Sequence, residues 1–371
     1  MIYFDNSSTT RPSERVVKAM TDCLTENFAN ASSLHVEGVK SHRIIENTKK
    51  VIAAKLCCTP AEILLGYGGT YCNNLALSSI ANALKRRGNK IVVSSIEHPS
   101  IAECAEGLRE QGFEVVFCNP LTDDFENEID EKTIAVSCML VNNETGLILP
   151  VDRLKKIITA KKSPALLHVD AVQAFGKLDI NVKKLGVDML TISAHKINGP
   201  KGIGALYVKK GVRIIPIVRG GEQEGGLIPG TYNTPAAAGF FEAVNELSAC
   251  SKVHFENLYT HFIKRAEEFD FIKVNLFGDH AHHIVNITFD GYLGENVLHF
   301  LEGYGIFVSQ GSACSSHSKQ KGKTLLALGA DKRVADGSVR VSFDKNNTIE
   351  QIDEFFTVCA GIPDKLIKLY K

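Results

Sequence analysis

No run of this sequence is apolar for long enough to cross a bilayer as a helix. The opening residues, MIYFDNSSTT, have neither the basic start nor the apolar stretch of a signal peptide. Neither charge is in excess: Lys and Arg number 42, Asp and Glu number 42, and the formal net charge is zero. That balance argues against a general binder of polyanions, so no direct nucleic-acid contact is expected, although a local basic patch stays open. Ten cysteines are present, yet no two have the CxxC spacing of a metal or redox pair. The expectation is a protein of the cytoplasm, outside any membrane, with its thiols reduced. There is no internal repeat and no low-complexity tract.

At 371 residues, with 44% hydrophobic and 23% charged, the chain has the composition of a globular protein and exceeds one usual core. We expect a large domain over residues 12–255 and a smaller one formed by residues 1–11 and 256–371. Strand-like runs at 62–65, 90–95, 114–118, 133–141, 165–169, 187–192 and 202–208 alternate with helical patterns. This predicts an α/β fold with a mainly parallel sheet in the large domain and a smaller α/β C-terminal domain. One long helix is expected from a Thr234 cap toward Asp270, and a last helix from a capping box at Thr348 and Gln351. His280, His282 and His283 read as surface histidines. Most cysteines read as small core residues.

In such sheets ligands bind beyond the carboxyl ends of the strands. The polar residues that end these strands are Glu97-His98, Asn142-Asn143-Glu144, His168-Val169-Asp170 with Gln173, and Ser193-Ala194-His195-Lys196. GYGGT at 66–70 lies between a strand and a helix, where backbone N–H groups and the helix dipole attract an anion. Lys196 follows a buried strand and precedes a Gly/Pro turn. Two readings are open: a surface lysine in a hairpin turn, or a Schiff-base lysine for pyridoxal phosphate. That cofactor needs a carboxylate at its pyridine nitrogen, and Asp170 fits, although it also reads as a helix cap. It needs a flat ring to stack on (His98), polar groups at its phenolic oxygen (Asn143, Gln173) and donors for its phosphate (Gly69, Thr70, Ser193, His195). Cys314 stands among Gln310-Gly311-Ser312-Ala313 and Ser315-Ser316-His317-Ser318, neighbours that predict an exposed loop and an accessible thiol.

With these residues in place, the chain resembles the pyridoxal-phosphate-dependent cysteine desulfurases of fold type I, within the class V aminotransferases. The matching stretches are YFDNSSTT, NASSLH, GGTYCNN, EH at 97–98, VNNETG, HVDAVQ, SAHKINGPKGIGALYV, PGTYN and SQGSACSS, in order along nearly the whole chain. The resemblance implies a cofactor on Lys196, Asp170 at its ring nitrogen and His98 on its face. It implies that Thr231 reaches the phosphate in the other subunit of a homodimer, and that Arg340, together with Asn143, serves the substrate. It implies that L-cysteine gives up its sulfur to Cys314 as a persulfide, releasing alanine, for a sulfur-acceptor protein in iron–sulfur cluster assembly or tRNA thiolation.

The chain departs from the family pattern at four places. Gly225 and Ile228 stand where arginines are usual, Tyr71 and Cys72 where Glu and Ser are usual, and Lys345 where an arginine is common. A selenocysteine lyase, another class V enzyme, or a weakly active scaffolding homologue are the alternatives these residues leave open.

Overall fold

The computed structural model describes residues 1–122, 124–247, 250–311 and 322–369, without the side chains of 250 and 251. Twelve strands occur among them: β1 (Ile2–Tyr3), β2 (Ile63–Gly66), β3 (Lys90–Ser94), β4 (Glu114–Cys118), β5 (Thr133–Ser137), β6 (Leu166–Asp170), β7 (Met189–Ser193), β8 (Gly204–Val208), β9 (Ile272–Val274), β10 (Ile284–Phe289), β11 (Ile306–Phe307) and β12 (Ser338–Ser342). The chain divides into two compact units. One holds Arg11–Leu140 and Leu149–Leu247; the other holds Met1–Thr10, Val141–Ile148 and Ser248–Lys371.

The larger unit is built on a seven-stranded sheet of order β2-β8-β7-β6-β5-β3-β4. β8 is antiparallel to both its neighbours, and the other pairings are parallel. β3, β5 and β7 are buried along their whole length, as a sheet covered on both faces requires. One face is covered by the helices Gly69–Leu84 and Pro99–Glu110, whose Leu75, Leu77, Ile80, Ile101 and Leu108 pack with Ile91, Val93 and Ile134 of the sheet. His168 is buried in the middle of the sheet. Its Nδ1 lies 2.9 Å from Ser137 Oγ on β5 and its Nε2 lies 3.1 Å from Thr191 Oγ1 on β7.

The smaller unit has an antiparallel sheet of order β12-β10-β9 and a parallel pair, β1 with β11. Its core is aromatic. Phe4, Phe262, Phe289, Phe343, Phe355 and Phe356 are each within 2% of full burial, and Phe262 packs on Phe356 with ring centroids 4.8 Å apart. A side chain of this size contributes about 1.5–3 kcal/mol when fully buried. Thr348 and Gln351 form the expected capping box at the start of helix Ile349–Cys359.

Several local expectations are corrected. The helix expected from Thr234 toward Asp270 is two, Thr234–Asn245 and Cys250–Ala266, and the cap of the first is Asn233, whose side chain accepts from Ala236 N. A further helix, Ile362–Lys365, follows the one capped by Thr348. β5 ends at Ser137 rather than 141. Cys138 N and Leu140 N still donate to His168 O and Asp170 O, but the chain then leaves for the smaller unit. His283 is buried at 3% exposure, against the expectation of a surface residue. Cys72, Cys118, Cys138 and Cys359 are buried as expected, and Cys104 is half-buried.

Candidate functional site

The carboxyl ends of β2, β3, β6 and β7 lie along one edge of the large sheet, because these four strands run the same way. β2 ends at Gly66, and helix Gly69–Leu84 starts three residues later. Its N-cap, Gly68, has φ of +121° and offers no side chain to the first-turn N–H groups. A Cβ on Gly204 would stand 2.9 Å from the Gly68 carbonyl carbon and 2.6 Å from Ile192 O. Only glycine at 204 lets the turn come this close to β7 and β8. A Cβ on Gly69 would stand 3.7 Å from Ser193 Cβ and 3.2 Å from Val172 Cγ2, so the start of the helix faces the ends of β6 and β7. Gly69 and Thr70 thus belong to the helix rather than to the loop before it. Thr70 is exposed.

Ser193 is the last residue of β7, and its Oγ is buried with no hydrogen-bond partner. A 3-10 turn, Ala194–Lys196, follows and carries His195 and Lys196, both half-buried. Burial, then Lys196, Lys201 and His98, lowers His195 to a pKa of about 4, so it is neutral at physiological pH.

Asp170 ends β6 and is 6% exposed. Its Oδ1 accepts from Val172 N at 2.9 Å and its Oδ2 from Asn73 Nδ2 at 2.7 Å. No helix starts after it, so the cap reading fails. Among the described residues no cation pairs with this carboxylate. Gln173 is buried three residues beyond.

After β3, Glu97 turns inward. Its Oε1 accepts from Met139 N at 2.6 Å, and burial, with Asp170 nearby, pushes its carboxyl well above the usual range. His98 caps helix Pro99–Glu110, its Nδ1 accepting from Ser100 N at 3.1 Å. Burial lowers the His98 pKa, Lys196 adds to this, and Asp170 opposes it.

These groups fit pyridoxal phosphate. A buried carboxylate without a cation suits a protonated pyridine nitrogen. A buried, unpartnered hydroxyl on Ser193 and an uncapped, glycine-led helix N-terminus suit a phosphate.

The other expected residues come from other segments of the chain. Thr231 is exposed, in a pocket lined also by Gly66, Tyr67, Ile203 and Ile228. Asn143 and Arg340 belong to the smaller unit, where they meet: Arg340 Nη1 donates to Asn143 O at 2.8 Å. Cys314 lies outside the described residues. Gly225 has φ of +64° in a turn, and Ile228 is 3% exposed and packs with Leu64 and Leu75 in the apolar cluster of the large unit. Where the family pattern has an arginine, this chain has a core residue. Sequence reading quoted Asn73 within a motif and gave it no role. It gave none to Ser100 either, since no local pattern ties Asn73 to Asp170, 97 positions away, or to Ser100, 27 positions away.

The class-V aminotransferase family model matches residues 2–355. The cysteine desulfurase IscS of Archaeoglobus fulgidus is 38% identical over 99% of this chain and 98% of its own length. That of Methanosarcina thermophila is 37% identical over 98% of this chain and 92% of its own. Among solved structures, a NifS-like protein superposes with a TM-score of 0.91 at 33% identity, covering 98% of this chain and 100% of that one. SspA in complex with cysteine superposes with a TM-score of 0.82 at 31% identity, over 92% of this chain and 99% of that one. The chain belongs to the pyridoxal-phosphate-dependent cysteine desulfurases of the class V aminotransferase family.

Proposed function

We propose that this protein takes sulfur from L-cysteine, releases L-alanine, and carries the sulfur as a persulfide on Cys314 to an acceptor protein. The observation that carries the reading is Asp170, a buried carboxylate held by two N–H donors and without an ion-pair partner among the described residues. It stands on the same strand-end edge as Lys196 and His98.

Bound pyridoxal phosphate supplies an aldehyde that condenses with amines and a ring that accepts electrons. Lys196 is the amine that holds it, and its Nζ moves protons during turnover. Asp170 keeps the ring nitrogen protonated, and His98 lies on the ring face. Gly69, Thr70, Ser193 and His195 hold the phosphate, His195 as a neutral hydrogen-bond partner. Gln173 and Asn143 meet the phenolic oxygen. Thr231, exposed on one copy, serves the phosphate of the second copy in a homodimer. Arg340, with Asn143, takes the substrate carboxylate. The Cys314 thiolate attacks the substrate sulfur; an S–S bond forms, the C–S bond breaks, and the carbon gains a proton to leave as alanine. The acceptors that fit are those of iron–sulfur cluster assembly or tRNA thiolation, in the cytoplasm.

The test is the visible spectrum of the purified protein before and after L-cysteine, with alanine measured. A yellow protein whose band shifts while alanine accumulates supports the reading. A protein that stays colourless in excess pyridoxal phosphate overturns it.

A further inference from the structure

The carboxylate of Asp170 and the ring of His98 are joined through two side chains outside the proposed cofactor set. Asn73 is 1% exposed and spends both hydrogens of its amide: Nδ2 donates to Asp170 Oδ2 at 2.7 Å and to Ser100 Oγ at 2.8 Å. Its Oδ1 is buried with no partner. The amide is therefore placed for its N–H groups. The flipped orientation would set a carbonyl oxygen against a carboxylate, which electrostatics forbids. Ser100 Oγ, already accepting from Asn73, has its own hydrogen left to give. That hydrogen goes to His98 Nδ1, 2.9 Å away, which also accepts from Ser100 N at 3.1 Å. An imidazole nitrogen facing two donors cannot itself carry hydrogen.

We propose that Asn73 and Ser100 are positioning residues that orient Asp170 and hold His98 as a neutral imidazole with its hydrogen on Nε2. His98 can then donate from Nε2 but has no free lone pair with which to act as a base. Proton removal falls to another group of the site. Asp170, Lys196 and His195 are the titratable neighbours that act on His98, and Glu97 precedes it in the chain. Of these only Asp170 favours the charged ring, and Asn73 engages one of its two oxygens. The tautomer stands without the cofactor; its catalytic meaning rests on the function proposed above.

The experiment is two-bond proton–nitrogen correlation NMR on protein labelled with nitrogen-15 histidine, in the cofactor-free and cofactor-loaded forms. Wild type, Ser100→Ala, Ser100→Thr and Asn73→Ala are compared between pH 8 and 5. We expect a bare Nδ1 and a hydrogen-bearing Nε2 in wild type, in both forms, and in Ser100→Thr. In Ser100→Ala and Asn73→Ala the titration midpoint of His98 moves up by about one pH unit. A His98 hydrogen on Nδ1, a charged ring at pH 7 in wild type, or an unchanged midpoint in both variants overturns the proposal. Because the cofactor-free form gives the reading, a failure to bind pyridoxal phosphate would count against the proposed function and not against the relay.

Discussion

Arg340 and Asp5 form a salt bridge, Nη2 to Oδ1 at 2.6 Å, in which the arginine side chain is 2% exposed and the carboxylate 19%. Ser8 Oγ and Asn143 O take two more of the guanidinium hydrogens, while Nε has no partner. A buried cation that loses its ion-pair partner is strongly destabilised, even with the buried Glu144 also acting on this guanidinium. Asp5→Ala should lower the unfolding free energy by about 3 kcal/mol, read as a fall in the urea midpoint. An unchanged midpoint would mean that Ser8 and Asn143 suffice to hold the guanidinium.

His168 should make the protein acid-sensitive. Burial pulls its pKa down to about 3 from an ordinary value of 6.5. Below pH 6.5 the unfolded chain takes up a proton that the folded one refuses, so this stability is present above 6.5 and is lost as pH falls toward 3. At pH 5 the loss from His168 is about 2 kcal/mol. Buried glutamates with raised pKa, such as Glu97, tilt the curve the other way, so the comparison is with His168→Gln. The variant's unfolding free energy should change less between pH 7 and 5 than that of the wild type.

Lys49 Nζ sits 2.7 Å from Glu224 Oε2, and the glutamate side chain is only 1% exposed. Burial raises the Glu224 pKa, and Lys49 holds the rise in check. Lys49→Met leaves a buried anion alone, at a cost of about 3–5 kcal/mol where it stays charged. The loss should be larger at pH 8 than at pH 5, since protonation of Glu224 removes the orphaned charge. Thermal unfolding at the two pH values decides it; an equal loss of this size at both would mean that Glu224 stays charged at pH 5.

Ile228 stands where the family pattern has an arginine, yet it is 3% exposed and lies in the apolar cluster. Ile228→Arg restores the pattern and should still destabilise, by about 2–4 kcal/mol, because the charge has no partner there. A melting temperature at or above that of the wild type would show that an anion lies within its reach.

Much of the edge that carries the site was legible in the sequence, because its residues sit at strand ends. A period of buried β-formers stops, and the polar residues that follow must lie at the carboxyl edge of a parallel sheet. This placed His98, Asp170, Ser193 and Lys196 from local pattern alone. The glycines at 66–70 announced a strand-to-helix turn for the same local reason. Helix boundaries blurred where two capping residues stood side by side: Asn233 took the role expected of Thr234, its side chain accepting from Ala236 N.

What the sequence determined by itself is the alternation of strands and helices, the turn chemistry between them, and the set of residue types that pyridoxal phosphate requires. These depend on neighbours within a turn or two of the chain. Only the tertiary structure decided that Val141–Ile148 leave one unit for the other, that His283 is buried, that Ile228 is core, and that Asn73 bridges Asp170 to Ser100. Each depends on partners dozens to hundreds of residues away, and hydrogen bonds and close packing are set by distances of a few tenths of an ångström that no local pattern encodes.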